Sequence, residues 1–179
     1  MEKIIVNNDN LKDEEITEIV KRVKAFLINS KNELILGYAN NEYQCPGGHV
    51  EVNEDLITAL NRELKEETGL VLDTKDLTPF ACLEAYYKDW PEFGKNRKIE
   101  IYYYEIKTDE IPNLSNTSYS KEEIEGNFEL RSIPINEAEY EIATNANRFG
   151  DEHGIAKEMM RVLKVYNEIR RNNGNNEGI

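Results

Sequence analysis

The sequence predicts an α/β fold in which a mixed sheet carries helices on both faces. Three observations predict it. Short runs rich in β-branched and aromatic residues are separated by turn formers, and the strongest, residues 99–107 (IEIYYYEIK), has β-formers on both alternations, as a central strand does. Residues 54–68 form an amphipathic helix in mid-chain, with Leu56, Leu60 and Leu64 repeating every four residues. Residues 155–171 form a second amphipathic helix, with Ile155, Met159, Val162, Leu163 and Tyr166 on one side.

Taken in order, residues 4–6 (IIV) are a short strand, and the acidic residues 10–19 are a loop or a helical turn. Residues 23–29 make a stronger strand, residues 29–32 (NSKN) a turn, and residues 34–38 the returning strand of a hairpin. The hairpin delivers the chain to residues 43–48 (YQCPGG), of which residues 45–48 (CPGG) can neither continue a strand nor start a helix. In the helix that follows, Asn53 is the expected N-cap. Glu54 and Asp55 suit the positive end of the dipole, and Gly69 stands where a C′ glycine belongs. Residues 80–87 form the next strand and residues 88–98 a loop carrying Trp90, Pro91 and Phe93. After the central strand, residues 108–120 read as a long loop, residues 128–133 as a strand, and residues 136–138 as the start of a short helix. Residues 172–179 are an Asn/Gly-rich tail expected to lack order. With no repeat and no linker, residues 1–179 are expected to form one domain, residues 1–20 being an N-terminal extension.

Composition narrows the function. The formal charge of −13, from 35 acidic and 22 basic residues, disfavours a nucleic-acid polymer as partner. No stretch is apolar enough for a signal peptide or a membrane span. Cys45 and Cys82 make neither a disulfide framework nor a zinc spacing, so the expected compartment is a reducing cytoplasm. Only two histidines are present, His49 and His153, which argues against a zinc hydrolase. His153, in a Gly-containing turn, is expected to cap the last helix.

The acidic side of the central helix carries the chemistry. Glu63, Glu66 and Glu67 share an arc of about 100°. Three carboxylates on one arc repel one another, and an oxygen-rich cluster of this type suits a hard divalent cation, Mg²⁺ or Mn²⁺. The plain alternative is a solvated acidic helix face.

The wider spacing decides between them. Gly48, Glu54, Arg62-Glu63-Leu64, Glu66-Glu67 and Gly69-Leu70 stand at intervals that resemble the signature box of the Nudix hydrolases, with no position missing. That resemblance implies a Nudix-type α/β/α sandwich and a Mg²⁺- or Mn²⁺-dependent pyrophosphohydrolase. Its substrate would be a nucleoside diphosphate linked to another moiety, a small nucleotide. It assigns Glu63, Glu66 and Glu67 to the metal, with a backbone carbonyl from Gly47 or Gly48. Either Glu63 or an acid from a distant loop is then the general base. Arg62 is expected to orient a glutamate, and Glu54 to pair with Arg62 or close the loop. Family members often add a downstream carboxylate, for which Glu122, Glu123 and Glu125 are the candidates. Tyr86, Tyr87 and Trp90 are the candidates for a plate that stacks on a base. Family members are often dimers, so a homodimer is compatible. The competing function is a Nudix-like module that senses a nucleotide without hydrolysing it. The complete set of box acids favours the enzyme.

Overall fold

The computed structural model describes residues 1–176. In chain order it contains β1 (Glu2–Val6), β2 (Glu18–Ile28), β3 (Glu33–Ala39), β4 (Glu42–Gln44), α1 (Leu56–Thr68), β5 (Ala81–Tyr87), β6 (Arg97–Lys107), α2 (Lys121–Glu125), β7 (Glu129–Pro134), α3 (Ala138–Phe149) and α4 (Ile155–Asn176). Strands and helices thus combine as expected of an α/β protein with a mixed sheet. The chain forms two compact units.

The first unit comprises Met1–Phe26, Pro46–Ile106 and Glu110–Ser118. Its strands lie in the order β1-β5-β6-β2. β1 runs parallel to β5, with Ile4 opposite Leu83, and β5 runs antiparallel to β6, with Leu83 opposite Ile101. β6 is therefore flanked on both sides, which explains its β-formers at both alternations. Val23, Phe26, Leu60, Leu64, Ala81, Tyr103 and Tyr104 are buried in this unit. Phe26 and Phe80 meet edge to face at 5.5 Å.

α1 starts two residues later than the sequence suggests. Asp55 is the N-cap: its Oδ1 accepts from the Ile57 and Thr58 N–H groups at 3.0 and 2.9 Å. Asn53 instead occupies the left-handed region at φ 66°, inside the turn that precedes the helix. Gly69 closes α1 as expected, at φ 70° with its N–H on Lys65 O. A side chain at Gly69 would meet the Asn113 carbonyl, so the glycine also allows a close backbone approach.

The second unit comprises Leu27–Cys45, Lys107–Asp109 and Tyr119–Ile179 as far as they are described. β3 is paired on both sides, with β4 (Tyr38 opposite Tyr43) and with β7 (Leu36 opposite Arg131). Leu34, Leu36, Ile142, Met159, Val162 and Leu163 are buried. Three helices exceed the sequence reading. α2 lies where a loop is expected, nucleated by a capping box between Ser120 and Glu123. α3 runs twelve residues, although only Ala138 and Ile142 are buried on it. α4 continues through Asn176, into the stretch expected to lack order; residues 177–179 lie outside the described residues. His153 does not cap α4. Asp151 does, accepting from the Ala156 and Lys157 N–H groups, while the His153 ring meets Glu42 at 2.7 Å.

Candidate active site

The site is built within the first unit from one turn and one helix. Residues 46–50 run beside β2 as an additional edge. Ala25 N–H donates to Pro46 O at 2.7 Å, Val23 N–H to Gly48 O at 3.0 Å, and Val50 N–H to Lys21 O at 2.9 Å. Arg22 and His49 stand opposite one another in antiparallel register. Two glycines allow a close approach, one to backbone and one to a carboxylate. At Gly47, φ 131°, a Cβ would strike the Val23 carbonyl. At Gly48 a Cβ would stand 2.5 Å from Oε1 of Glu63. The backbone of the turn therefore lies directly against the glutamates of α1.

Arg62 is the hub of those glutamates. Its Nε and Nη2 donate to the two carboxylate oxygens of Glu54, both at 3.0 Å, forming a bidentate pair. Nη1 donates to Glu63 Oε1 at 2.8 Å and to Glu66 Oε2 at 3.1 Å, and Nη2 also donates to the His49 carbonyl at 2.8 Å. The Glu54 and Glu63 side chains are only 10% and 12% exposed, against 39% for Glu66. Glu67 is buried and accepts the Gly47 N–H at 2.9 Å. One helix face thus grips both the preceding turn (through Glu54, which also accepts from Glu51 N–H) and the glycine loop.

Environment separates the carboxylates. The Arg62 guanidinium holds the Glu54 carboxyl below its ordinary 4.5, whereas burial pushes Glu63 above 4.5 despite the same guanidinium. Arg62 in turn is raised further, chiefly by its hydrogen bonds to Glu54. The His49 imidazole is held below 6.5 by burial and by Arg22, Lys24 and Arg97.

The donor set matches a hard divalent cation in chemistry: carboxylate oxygens on one arc, beside a loop of close-packed backbone. It is not preassembled. Among the described residues no three His, Cys, Asp or Glu side chains form a group that could hold a metal ion. Arg62 supplies the positive charge between Glu63 and Glu66, and an ion held by both carboxylates would take the place of the guanidinium. The two candidate carbonyls are already engaged, Gly47 O by Lys24 Nζ at 2.6 Å and Gly48 O by Val23 N–H.

The remaining predicted residues lie on other elements. Tyr86 O–H donates to Asp13 Oδ1 at 2.9 Å from the opposite alternation of β5 to Tyr87. Tyr87 and Trp90 are exposed, their rings 5.5 Å apart, and the Arg97 guanidinium lies 4.4 Å from the Trp90 ring centre. Glu122, Glu123 and Glu125 lie on α2 in the second unit, Glu123 engaged in the cap and Glu125 3.6 Å from Lys121. Also in that unit, a polar cavity of about 320 Å³ is lined by Tyr38, Asn40, Asn41, Asn127, Glu129 and Arg131, with Gly126. The sequence reading missed Arg22 and Lys24. Their signal was three cations, Lys21, Arg22 and Lys24, at the head of an apolar run (VKRVKAF), with Arg22 and Lys24 on one alternation.

Among the described residues no helix is long and apolar enough to cross a membrane. Comparison with known proteins places the site in context. The family model described as NUDIX domain matches residues 19–168. Two curated relatives, the proteins named 8-oxo-dGTP diphosphatase from two strains of Buchnera aphidicola, are 31% and 30% identical over 88 and 87 residues. Those matches cover 49% of this chain and 57% and 58% of the relatives, so the chain spans a little over half their length. Among solved structures, the E. coli ORF135 protein aligns with a TM-score of 0.56 at 16% identity, over 89% of this chain and 96% of that one. A C. elegans Ap4A hydrolase aligns with a TM-score of 0.53 at 18% identity, over 86% and 98%. At these identities the likeness is one of fold. The family match spans most of the chain and encloses the glutamate-bearing α1, and the chain belongs to the NUDIX domain family.

Proposed function

We propose that this protein hydrolyses a phosphoanhydride bond in a small nucleotide, a nucleoside diphosphate linked to a further moiety, with Mg²⁺ or Mn²⁺ as cofactor. The observation that carries the reading is the gathering of Glu63, Glu66 and Glu67 on α1 against the Gly47–Gly48 turn, with Arg62 among them. Glu63, Glu66 and Glu67 would hold the ion. When bound, such an ion neutralises phosphate oxygens and makes water more acidic.

The chain's own residues have separable tasks. Glu63, whose carboxyl is raised by burial, suits the group that takes a proton from the attacking water. The resemblance leaves Glu122, Glu123 and Glu125 as the other candidates. Arg62 is a positioning residue, fixing the rotamers of Glu63 and Glu66. Glu54 holds Arg62 in place. The two cysteines are free and buried, which supports a reducing compartment such as the cytoplasm.

The names of the relatives suggest where to look for substrate: oxidised deoxynucleoside triphosphates and dinucleoside polyphosphates, with ADP-ribose and sugar nucleotides completing a panel. The test is product release from that panel in Mg²⁺ and in EDTA. Turnover of at least one compound in Mg²⁺ and none in EDTA is expected. Tight nucleotide binding without turnover of any of them would instead make this a sensing module.

A further inference from the structure

Beside the glutamates runs a strip of cations that the box does not include. On β2, Glu18, Arg22 and Lys24 alternate onto one face. β2 neighbours β6, and Arg97 at the start of β6 meets Glu18 at 2.6 Å, so Arg97 lies on that face too. Tyr87 is opposite Arg97 in register and shares the face, and the Arg97 guanidinium covers the Trp90 ring. At the other edge of β2, Arg22 Nε donates to His49 Nε2 at 3.2 Å, one residue from Gly48. The strip thus leads from the glycine turn to an exposed aromatic pair.

Its charges are not equally available. Lys24 is buried with its ammonium on the Gly47 carbonyl, and Arg97 is offset by Glu18. Arg62 is occupied by Glu54, Glu63 and Glu66. Arg22 has no carboxylate ion pair among the described residues; its side chain is half-buried, and its Nε donates to His49 Nε2. In a chain of net charge −13, a part-exposed guanidinium without an ion pair among the described residues, beside an acidic centre, is a feature that folding alone does not require. The planar fork of a guanidinium matches the geometry of a phosphate.

We propose that Arg22 binds the phosphate chain of the nucleotide, beside the carboxylates of α1; this rests on the reading of the site as a phosphoanhydride hydrolase. Its partner His49 orients the guanidinium, and the strip sets the direction in which the chain leaves the glycine turn, toward Trp90. Inorganic tripolyphosphate, which carries the phosphate chain without base or sugar, is the probe. Its affinity for the full chain in Mg²⁺ is measured by calorimetry for wild type, Arg22→Gln, Arg22→Lys and Lys21→Ala, with thermal melts confirming the fold. Lys21 is an exposed cation on the opposite alternation of the same strand. Arg22→Gln is expected to weaken binding about tenfold or more, the scale of one charge-assisted hydrogen bond. Arg22→Lys should recover part of the loss, and Lys21→Ala should bind as wild type does. Equal weakening by Lys21→Ala and Arg22→Gln would reduce the effect to net charge and overturn the proposal, as would an Arg22→Gln affinity within twofold of wild type. Arg22-dependent binding without turnover of any nucleotide would leave the strip standing and remove the hydrolase. Turnover with KM unchanged in Arg22→Gln would remove the strip alone.

Discussion

Replacing Arg62 by Met removes five hydrogen bonds in one step while keeping much of the side-chain volume. Glu54 and Glu63, 10% and 12% exposed, lose their counter-charge where water reaches them poorly. Breaking a buried pair from one side costs about 3–5 kcal/mol. Arg62 is 26% exposed and Glu66 39%, so solvent screens part of the effect and the low end, about 3 kcal/mol, applies. For a chain of this size that is a fall in Tm of about 6–12 °C. Thermal melts at fixed ionic strength, in EDTA and in Mg²⁺, carry a second readout. With the guanidinium gone, Glu63 and Glu66 have only the added ion to turn to. The rise in Tm on adding Mg²⁺ should therefore be larger in Arg62→Met than in wild type; a hundredfold excess over Kd is worth about 2.7 kcal/mol. A fall in Tm below about 2 °C, or the same Mg²⁺ increment in both proteins, would refute the placement of Arg62 as the cation that Mg²⁺ replaces.

Other outcomes follow from the same geometry. Gly48→Ala places a methyl 2.5 Å from Glu63 Oε1 and displaces that carboxylate, so turnover should drop about 10²-fold; wild-type kcat would show that Glu63 need not stand there. Glu54→Gln should lower Tm more than it lowers kcat, because Glu54 touches Arg62 and the turn, and a change in kcat with Tm intact would contradict that role. Asp55→Asn keeps the cap and should alter neither, which urea melts and steady-state rates check. The His153 imidazole is raised above 6.5 by Glu42, so its stabilising contribution is complete below 6.5 and is lost as pH rises through the raised value. His153→Gln should flatten Tm against pH in that window, and identical slopes in the two proteins would contradict the pairing.

The parts of the molecule governed by local pattern were legible in the sequence. α1 announces itself through the four-residue leucine repeat and the C′ glycine, and Leu60 and Leu64 are buried as that repeat requires. β6 was legible because its β-formers fill both alternations. What escaped depends on partners distant in sequence or on marginal local signals. Asn53 and Asp55 are both good caps, and the choice falls to Asp55 because Asn53 is already used at positive φ in the turn. α3 carries two buried residues in twelve, too thin a stripe to read as a helix. The fixing of His153 by Glu42 spans 111 residues and leaves no trace in spacing. In the site, the box residues could be named from their intervals, but the sharing of one guanidinium by Glu54, Glu63 and Glu66 could not. Arg62 was expected to orient a glutamate and Glu54 to pair with it or close the loop, but the bridging of Glu63 and Glu66 by one nitrogen depends on three-dimensional reach, which spacing does not give. Arg22 was passed over because its placement opposite His49, beside the glycine turn, depends on the fold.

The central claim is that the α1 glutamates do chemistry through a divalent ion and are not merely a solvated face. The most direct measurement is the Mg²⁺-dependent hydrolysis rate, on the best compound of the nucleotide panel, of wild type against Glu66→Gln and Glu67→Gln. Gln keeps the shape of the side chain and removes one negative charge. Each variant is expected to lose on the order of 10²–10³ in kcat with its fold intact. Wild-type rates from both variants in saturating Mg²⁺ would contradict the account and leave the acidic arc of α1 as an ordinary hydrated surface.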